Sequence, residues 1–85
     1  MKIDLEYPFT ELYKAGYTHV SSEGRRYITL KKFNGGNDGT SYARYLMSVK
    51  LGRFLTNQEE VDHIDNNKTN DDPNNLQILT PEQNR

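Results

Sequence analysis

The sequence predicts a small single domain of the α+β class, with an N-terminal β-hairpin, one α-helix and a C-terminal strand–loop–strand–helix unit. Three observations support this fold class. Two segments rich in β-branched and aromatic residues flank a Glu-Gly pair, residues 41–51 show a helical apolar stripe, and short apolar runs flank a polar loop near the C-terminus. A chain of 85 residues is expected to form one domain, with residues 1–58 before the C-terminal unit at 59–85.

The composition indicates a globular domain with a small core. Ile, Leu, Val and Phe account for 18 of 85 residues, and the formal net charge is only −1, so the chain is expected to fold. The absence of cysteine excludes disulfides and Cys-based zinc sites. The longest apolar run, Tyr45-Leu46-Met47, is far too short to cross a membrane, and the N-terminus has no apolar signal region. A cytoplasmic location is therefore expected.

Two segments bracket the predicted hairpin. Residues 10–16, Thr-Glu-Leu-Tyr-Lys-Ala-Gly, open with a capping residue and close on glycine, and this pattern predicts a short helix. Residues 34–39, Asn-Gly-Gly-Asn-Asp-Gly, combine residue types that favour turns, and they are expected to form a flexible loop. The strands of this half of the chain are expected between the two segments.

The hairpin itself is predicted from residues 17–22 and 25–33. Both segments are rich in Tyr, Thr, Val, Ile and Phe, and the Glu-Gly pair between them is a turn signal. Successive side chains of a strand point to opposite faces, so Ile28 and Leu30 are expected to face the core together.

The helix is predicted to begin after Thr40 or Ser41 and to end at Leu51. Gly52 occupies the position at which a left-handed residue commonly ends a helix. The apolar stripe of this helix contains Tyr42, Tyr45, Leu46 and Val49.

Charge is distributed unevenly along the chain. Residues 25–53 carry a net charge of +6, whereas residues 1–24 carry −2 and residues 54–85 carry −5. A basic middle beside an acidic end suits a metal-dependent enzyme that acts on a polyanion, because cations bind phosphates and carboxylates bind a metal. The alternative interpretation is a set of solvated surfaces. The candidate phosphate-binding cations are Arg25, Arg26, Arg44, Lys50, Arg53 and Lys68.

The polar loop at residues 66–75 does not match a calcium-binding EF-hand. If Asp65 takes the first position of that motif, Asn70 replaces the required glycine and Leu76 replaces the required glutamate. Asn and Asp also favour turns, because they bond to nearby backbone and tolerate left-handed conformations. Most of the loop is therefore interpreted as structural, with Asp65 as a cap and not a metal ligand.

Residues 80–85 are predicted to begin a helix. Thr80 is a suitable N-cap, Pro81 suits the first helical position, and Gln83 completes a capping box. The order of elements after residue 59 is therefore strand, loop, strand, helix.

The C-terminal unit also contains a characteristic pattern of His, Asn and Asp. Residues 61–65, Val-Asp-His-Ile-Asp, are followed by Asn75-Leu76 and then by Asn84 in the predicted helix. With this spacing the segment resembles the HNH endonuclease motif of the ββα-metal nucleases, and in particular the His-Asn-Asn variant of phage and intron-encoded homing endonucleases. The strand at 27–33 and the helix at 42–46 are similar to what precedes the motif in small phage HNH proteins. The resemblance implies that the C-terminal unit is a ββα-metal unit.

The resemblance implies a metal-dependent DNA endonuclease that hydrolyses phosphodiester bonds. It implies that His63 is the general base, that Asp62 and Asn84 bind one divalent cation, and that Asn75 holds the loop and orients His63. Ligation by oxygen atoms suits Mg²⁺ or Mn²⁺ better than Zn²⁺. The expected partner is DNA in a bacterial or phage-infected cell, without membrane contact, and a monomer is the default expectation.

Some alternatives stay open from the sequence. Adjacent strand residues point to opposite faces, so Asp62 and His63 can enter one site only if the strand bends or ends there. The final helix has about five residues, so either the chain is a shortened fragment or metal and DNA are expected to order it. The alternative functions are a DNA-binding module that keeps the fold but cleaves weakly or not at all, and an accessory in phage DNA packaging.

Overall fold

The structure is a computed structural model that describes residues 1–80. It contains a four-stranded antiparallel sheet, one α-helix and a two-stranded antiparallel sheet, so the predicted α+β class is confirmed. The helix predicted to follow Thr80 lies outside the described residues. Within residues 1–80, no helix has the length and apolar character needed to span a membrane.

The four-stranded sheet contains strands β1 to β4 in chain order, each antiparallel to its neighbour. These strands span Lys2–Ile3, Tyr13–Val20, Arg26–Lys32 and Asn37–Ser41. The pairing of β2 with β3 confirms the predicted hairpin. Ile28 and Leu30 are both buried, as their shared face predicted.

The helix predicted over residues 10–16 is wrong. A short 3₁₀ turn at Phe9–Glu11 leads into β2, and Gly16 lies inside that strand opposite Leu30. A Cβ atom at Gly16 would lie 2.5 Å from Cδ2 of Leu5. Glycine is therefore suited to this position because it lets Leu5 pack closely against the sheet, and not because it ends a helix.

The flexible loop predicted over residues 34–39 is wrong in its second half. Residues from Asn37 onward form β4, which pairs with β3 from Lys31↔Asn37 to Tyr27↔Ser41. The Tyr13 hydroxyl donates a hydrogen bond to the Asp38 carboxylate and so ties β2 to β4. Polar and glycine residues give β4 no strand pattern of its own, so it forms through backbone pairing with β3.

Helix α1, Tyr42–Leu51, is confirmed where the sequence predicts it. Ser41 is the N-cap, and its Oγ accepts a hydrogen bond of 3.2 Å from the Arg44 backbone N–H. Gly52 has a φ of 71°, and its N–H donates to the last-turn carbonyls of Ser48 and Val49. Because β4 runs directly into this helix, α1 is held against the sheet from its first residue.

Helix α1 packs between the two sheets. Its first side contributes to a buried cluster that contains Phe9, Ile28, Leu30 and Tyr45. Its second side contributes to a buried cluster that contains Ala43, Met47 and Leu76. The predicted stripe identified only the side that faces the larger sheet. Leu46 contacts both clusters, so the helix joins the two halves of the molecule.

The C-terminal unit contains strands β5, Glu60–His63, and β6, Leu76–Leu79. They pair antiparallel without interruption from Glu60↔Leu79 to His63↔Leu76. A loop at 64–75, which ends in a 3₁₀ turn at Pro73–Asn75, connects them. The two strands of the predicted unit are therefore present around the polar loop.

Candidate active-site cleft

A cleft of about 340 Å³ lies between the turn of the β2–β3 hairpin, the start of α1 and strand β5. Its charged lining residues and histidine are Arg25, Arg26, Arg44, Lys68, Glu60, Asp62, Asp71 and His63. Four of the six cations proposed from the sequence therefore surround the predicted base and the predicted metal ligand. The cations come mainly from the hairpin and helix, whereas the carboxylates come from the C-terminal unit. A phosphate in this cleft would lie close to both cations and carboxylates.

His63 is the last residue of β5, and its side chain is only 11% exposed. Its Nε2 atom lies 2.8 Å from Oδ1 of Asp71, whose side chain is 9% exposed. The sequence predicted that Asp62 and His63 can enter one site only if the strand bends or ends there. Strand β5 does end at His63, and both residues line the cleft.

The sequence does not predict a functional role for Asp71, because it is one of many Asn and Asp residues in a turn-rich loop. The only available signal was a carboxylate eight residues after the histidine, and the spacing of the motif does not mark it. Only the folded loop shows that Asp71 faces His63.

Asp62 has one oxygen engaged and one available. Its Oδ2 accepts a hydrogen bond of 2.8 Å from Nε2 of Gln77, its neighbour across β6. Within residues 1–80, Oδ1 has no hydrogen-bond partner, and Asp62 lines the cleft. A carboxylate oxygen of this kind is a suitable ligand for Mg²⁺ or Mn²⁺. The second predicted ligand, Asn84, lies outside the described residues. In the described part of the chain, no three His, Asp or Glu side chains are grouped to hold a metal.

Asn75 holds the loop but does not have the expected bond to His63. Its Nδ2 donates to Oδ1 of Asp65 at 2.9 Å and to the Asn70 carbonyl at 3.0 Å. Its Oδ1 accepts from the Asp65 backbone N–H, and its carbonyl accepts from the Ile64 N–H. The Asn75 amide is thus engaged within the loop, whereas Asp71 contacts the His63 ring. The orienting role of Asn75 stays a prediction.

Asp65 is the centre of the loop. Its carboxylate accepts hydrogen bonds from the side chains of Asn70 and Asn75 and from the Asn67 backbone N–H. The bonds from Asn70, Asn75 and Asn67, in that order, hold the pKa of Asp65 below its ordinary value. Asn66, the next residue, has a φ of 62°. The structure thus confirms that Asp65 caps the loop.

Arg44 and Arg53 bind protein groups in this structure. Arg44 donates to the carbonyls of Glu59 at 2.6 Å and Thr56 at 3.1 Å, and so fastens α1 to the segment that enters β5. Arg53 forms two bonds of 2.8 Å with the Glu59 carboxylate, which also accepts from the Thr56 N–H. These bonds, with that from Arg53 first, lower the pKa of Glu59 to about 2.

The remaining cations differ in their surroundings. Lys50 donates to the Pro73 carbonyl at 3.3 Å, away from the cleft lining. The guanidinium of Arg26 lies 5.9 Å from the centre of the Tyr42 ring, which holds it at the cleft. Within residues 1–80, Arg25 and Lys68 have no ion-pair partner. Arg25, Arg26 and Lys68 are therefore the cations best placed to receive an anion in the cleft, and phosphate contact by Arg44, Lys50 and Arg53 stays a prediction.

Residues 48–85 match the model of the HNH endonuclease family. No curated protein and no solved structure matches the chain significantly. The matched segment includes the end of α1, strands β5 and β6 and the loop between them. It also includes the residues on which the sequence resemblance rests, Asp62, His63, Asn75 and Asn84. Residues 48–85 of this chain are therefore similar to the HNH endonuclease family.

Proposed function

We propose that the chain is a metal-dependent DNA endonuclease with its reaction centre at His63. The observation that carries the proposal is the arrangement of the cleft, in which a mostly buried histidine adjoins a carboxylate and Arg25, Arg26 and Lys68 line the same cleft. The family match supports a nuclease or DNA-binding function, and this arrangement favours cleavage. A surface that served only to bind DNA would need the cations but not the histidine.

His63 acts as the general base. It accepts a proton from the attacking water as the new P–O bond forms, a role that histidine side chains commonly have in enzymes. The P–O3′ bond breaks, which leaves a 5′-phosphate and a 3′ oxygen that takes a proton from solvent. His63 then returns its own proton to solvent, so the protein is unchanged at the end of the reaction.

Asp62 and Asn84 are the proposed ligands of one divalent cation, Mg²⁺ or Mn²⁺, although Asn84 lies outside the described residues. Such a cation would neutralise charge on the scissile phosphate and stabilise the leaving 3′ oxygen. Gln77 donates a hydrogen bond to Oδ2 of Asp62, and Oδ1 accepts none within residues 1–80. Gln77 is thus proposed to orient the carboxylate.

The cleft cations are proposed to bind the DNA backbone. Arg25 and Arg26 lie at the end of the hairpin, and Lys68 lies in the loop that carries Asp71. Contacts to phosphate position the duplex without reading its sequence, so weak sequence preference is expected.

Plasmid cleavage with Mg²⁺, Mn²⁺ or EDTA tests the proposal directly. His63→Ala should reduce the cleavage rate about 10²–10⁴-fold, the usual contribution of a general base, while DNA binding persists. Asp62→Ala should lose metal affinity as well as rate. His19→Ala is the matched control. His19 lies exposed on β2, so this variant should cleave at the parent rate.

The alternative is a DNA-binding module that keeps the nuclease fold. The same cations favour it, since they would hold a duplex whether or not the cleft hydrolysed it. If the parent chain binds DNA but does not cut it with either metal, or if His63→Ala cuts as fast as the parent, the binding module replaces the enzyme as the function.

A further inference from the structure

The pair formed by His63 and Asp71 is a largely enclosed polar contact in the C-terminal unit. Nε2 of His63 and Oδ1 of Asp71 are 2.8 Å apart, and the two side chains are 11% and 9% exposed. Side chains of this polarity stay buried only when they satisfy one another. Their contact therefore determines how the imidazole ring is held.

The two residues that flank Asp71 in the loop both form hydrogen bonds. The preceding residue, Asn70, donates to Asp65 through its side chain and accepts from Asn75 through its carbonyl. The following residue, Asp72, caps the 3₁₀ turn by accepting from the Asn74 N–H. Asp71 thus lies between two anchored residues, so the position of its carboxylate is fixed by the loop and not by the contact with His63 alone.

The chemistry of the two groups sets the tautomer of the ring. A carboxylate can only accept hydrogen bonds, so the hydrogen between the two atoms must be carried by Nε2 of His63. In the neutral ring the lone pair is then on Nδ1. Neither the family match nor the motif indicates which protein group determines the tautomer of His63 in this chain.

We propose that Asp71 is the positioning residue of His63. It fixes the orientation of the imidazole, keeps the hydrogen on Nε2 and so presents Nδ1 as the atom that removes a proton from the attacking water. It also stabilises the positive charge that the ring acquires, as a buried aspartate does in other histidine-dependent hydrolases. This inference rests on the proposed role of His63 as general base, and it assigns Asp71 no contact with substrate or metal.

Cleavage kinetics test the inference. Asp71→Ala should slow cleavage about 10- to 100-fold, as removal of a partner that orients a histidine commonly does, with unchanged affinity for DNA. In a chain that already carries His63→Ala, the same substitution should cause no further loss, because Asp71 acts only through His63. A full additional loss in the double variant would overturn the proposal in favour of a general structural role.

Asp72→Asn is the matched control. It removes the same charge from the next residue but keeps an oxygen that can accept the loop hydrogen bond from the Asn74 N–H. It should cleave within about threefold of the parent, because the anchors on both sides of Asp71 are retained. If Asp72→Asn is as slow as Asp71→Ala, loss of negative charge from the loop explains both results and the proposal fails.

Metal titration separates positioning from ligation. Asp71→Ala should bind Mn²⁺ with the affinity of the parent, whereas Asp62→Ala should bind it more weakly. Equal losses of Mn²⁺ affinity in the two variants would identify Asp71 as a metal ligand and overturn the proposal.

Nitrogen NMR of the histidine rings tests the proposal without cleavage. At a pH where the rings are neutral, the ¹⁵N shifts of His63 should show the hydrogen on Nε2 in the parent and a mixture of tautomers in Asp71→Ala. His19, the only other histidine, is the internal reference. A parent His63 with its hydrogen on Nδ1 would reject the inference. Because this readout needs no activity, a parent that never cuts DNA would contradict the proposed function and still leave the role of Asp71 measurable.

Discussion

The four-stranded sheet and the loop at 64–75 are stabilised by different forces. The sheet covers a core in which Ile28 and Leu30 are 0% and 2% exposed. The loop has one large apolar side chain, Ile64, and it is 55% exposed. Hydrogen bonds among Asp and Asn side chains and nearby backbone hold the loop instead, with Asp65 and Asn75 at their centre.

This difference assigns different tasks to the two regions. Apolar burial is non-directional and supplies most of the free energy of folding. Hydrogen bonds contribute little net free energy, but they fix the direction of the groups that make them. We infer that the sheet and α1 provide stability, whereas the loop provides the geometry in which His63 meets Asp71. Substitutions in the first region should therefore change stability, and substitutions in the second should change cleavage.

The largest expected effect is on the stability of the sheet region. Tyr45 is 2% exposed, packs against Phe9 with ring centres 4.7 Å apart, and accepts a hydrogen bond from the Glu6 N–H. Tyr45→Ala should reduce the free energy of unfolding by about 3–5 kcal/mol. Tyr45→Phe, which keeps the ring, should cost only about 1 kcal/mol. Urea unfolding followed by circular dichroism measures both, and similar losses in the two variants would contradict the assignment of stability to apolar packing.

The next effect tests the loop. Asn75→Ala deletes three side-chain hydrogen bonds and should cost about 1–3 kcal/mol. Amide exchange should accelerate in the loop more than in β3, and cleavage should fall below the parent rate, because Asp71 is no longer held. Asn74→Ala, at the adjacent position, is the control. If the Asn75 variant loses protection equally in β3 and in the loop, the two regions unfold together and the comparison is wrong.

A smaller effect should separate the DNA-contacting cations from other surface charges. Alanine at Arg25, Arg26 and Lys68 should weaken DNA binding and reduce the dependence of log Kd on log salt by about 0.9 for each lost phosphate contact. The control is alanine at Lys2, Lys14 and Lys31, which surround a separate concavity on the sheet and carry the same total charge. Equal changes in salt dependence for the two triple variants would show that the cleft has no special role in binding.

The smallest expected effect is a pH dependence of stability. The pKa of Glu59 is lowered from 4.5 to about 2, chiefly by Arg53, so the folded state favours the ionised carboxylate. Its contribution is fully present above pH 4.5 and is lost as the pH falls toward 2. Thermal unfolding measured across this pH range should therefore show a steeper fall in the Tm of the parent than in the Tm of Glu59→Gln. Parallel curves would show that the pair contributes no measurable stability.

Local signals in the sequence were sufficient for several elements. The hairpin and α1 follow from periodicity and caps that involve neighbouring residues, and Ser41 and Gly52 end the helix where predicted. The role of Asp65 follows from the tendency of Asp and Asn to bond to backbone a few residues away. These interactions act over one or two turns of chain, so a single sequence contains all the information they need.

Other features depend on partners that are distant in sequence. Gly16 has the same local pattern as a helix end, but the space available under Leu5 and the pairing with Leu30 make it a strand residue. Arg44 was expected to contact phosphate, yet the path of the chain after α1 places two backbone carbonyls within reach of its guanidinium.

By itself the sequence determined the α+β class, the helix and its caps, and the spacing that relates residues 48–85 to HNH endonucleases. All of these features depend on the order and spacing of residues along the chain. Only the tertiary structure decided which carboxylate reaches His63. The chain supplies Asp62 and Asp65 beside this histidine, but backbone direction turns the first toward Gln77 and the second into the loop. Asp71 makes the contact because the fold of the loop brings its carboxylate to 2.8 Å from Nε2 of His63, and no local rule on the sequence expresses that approach.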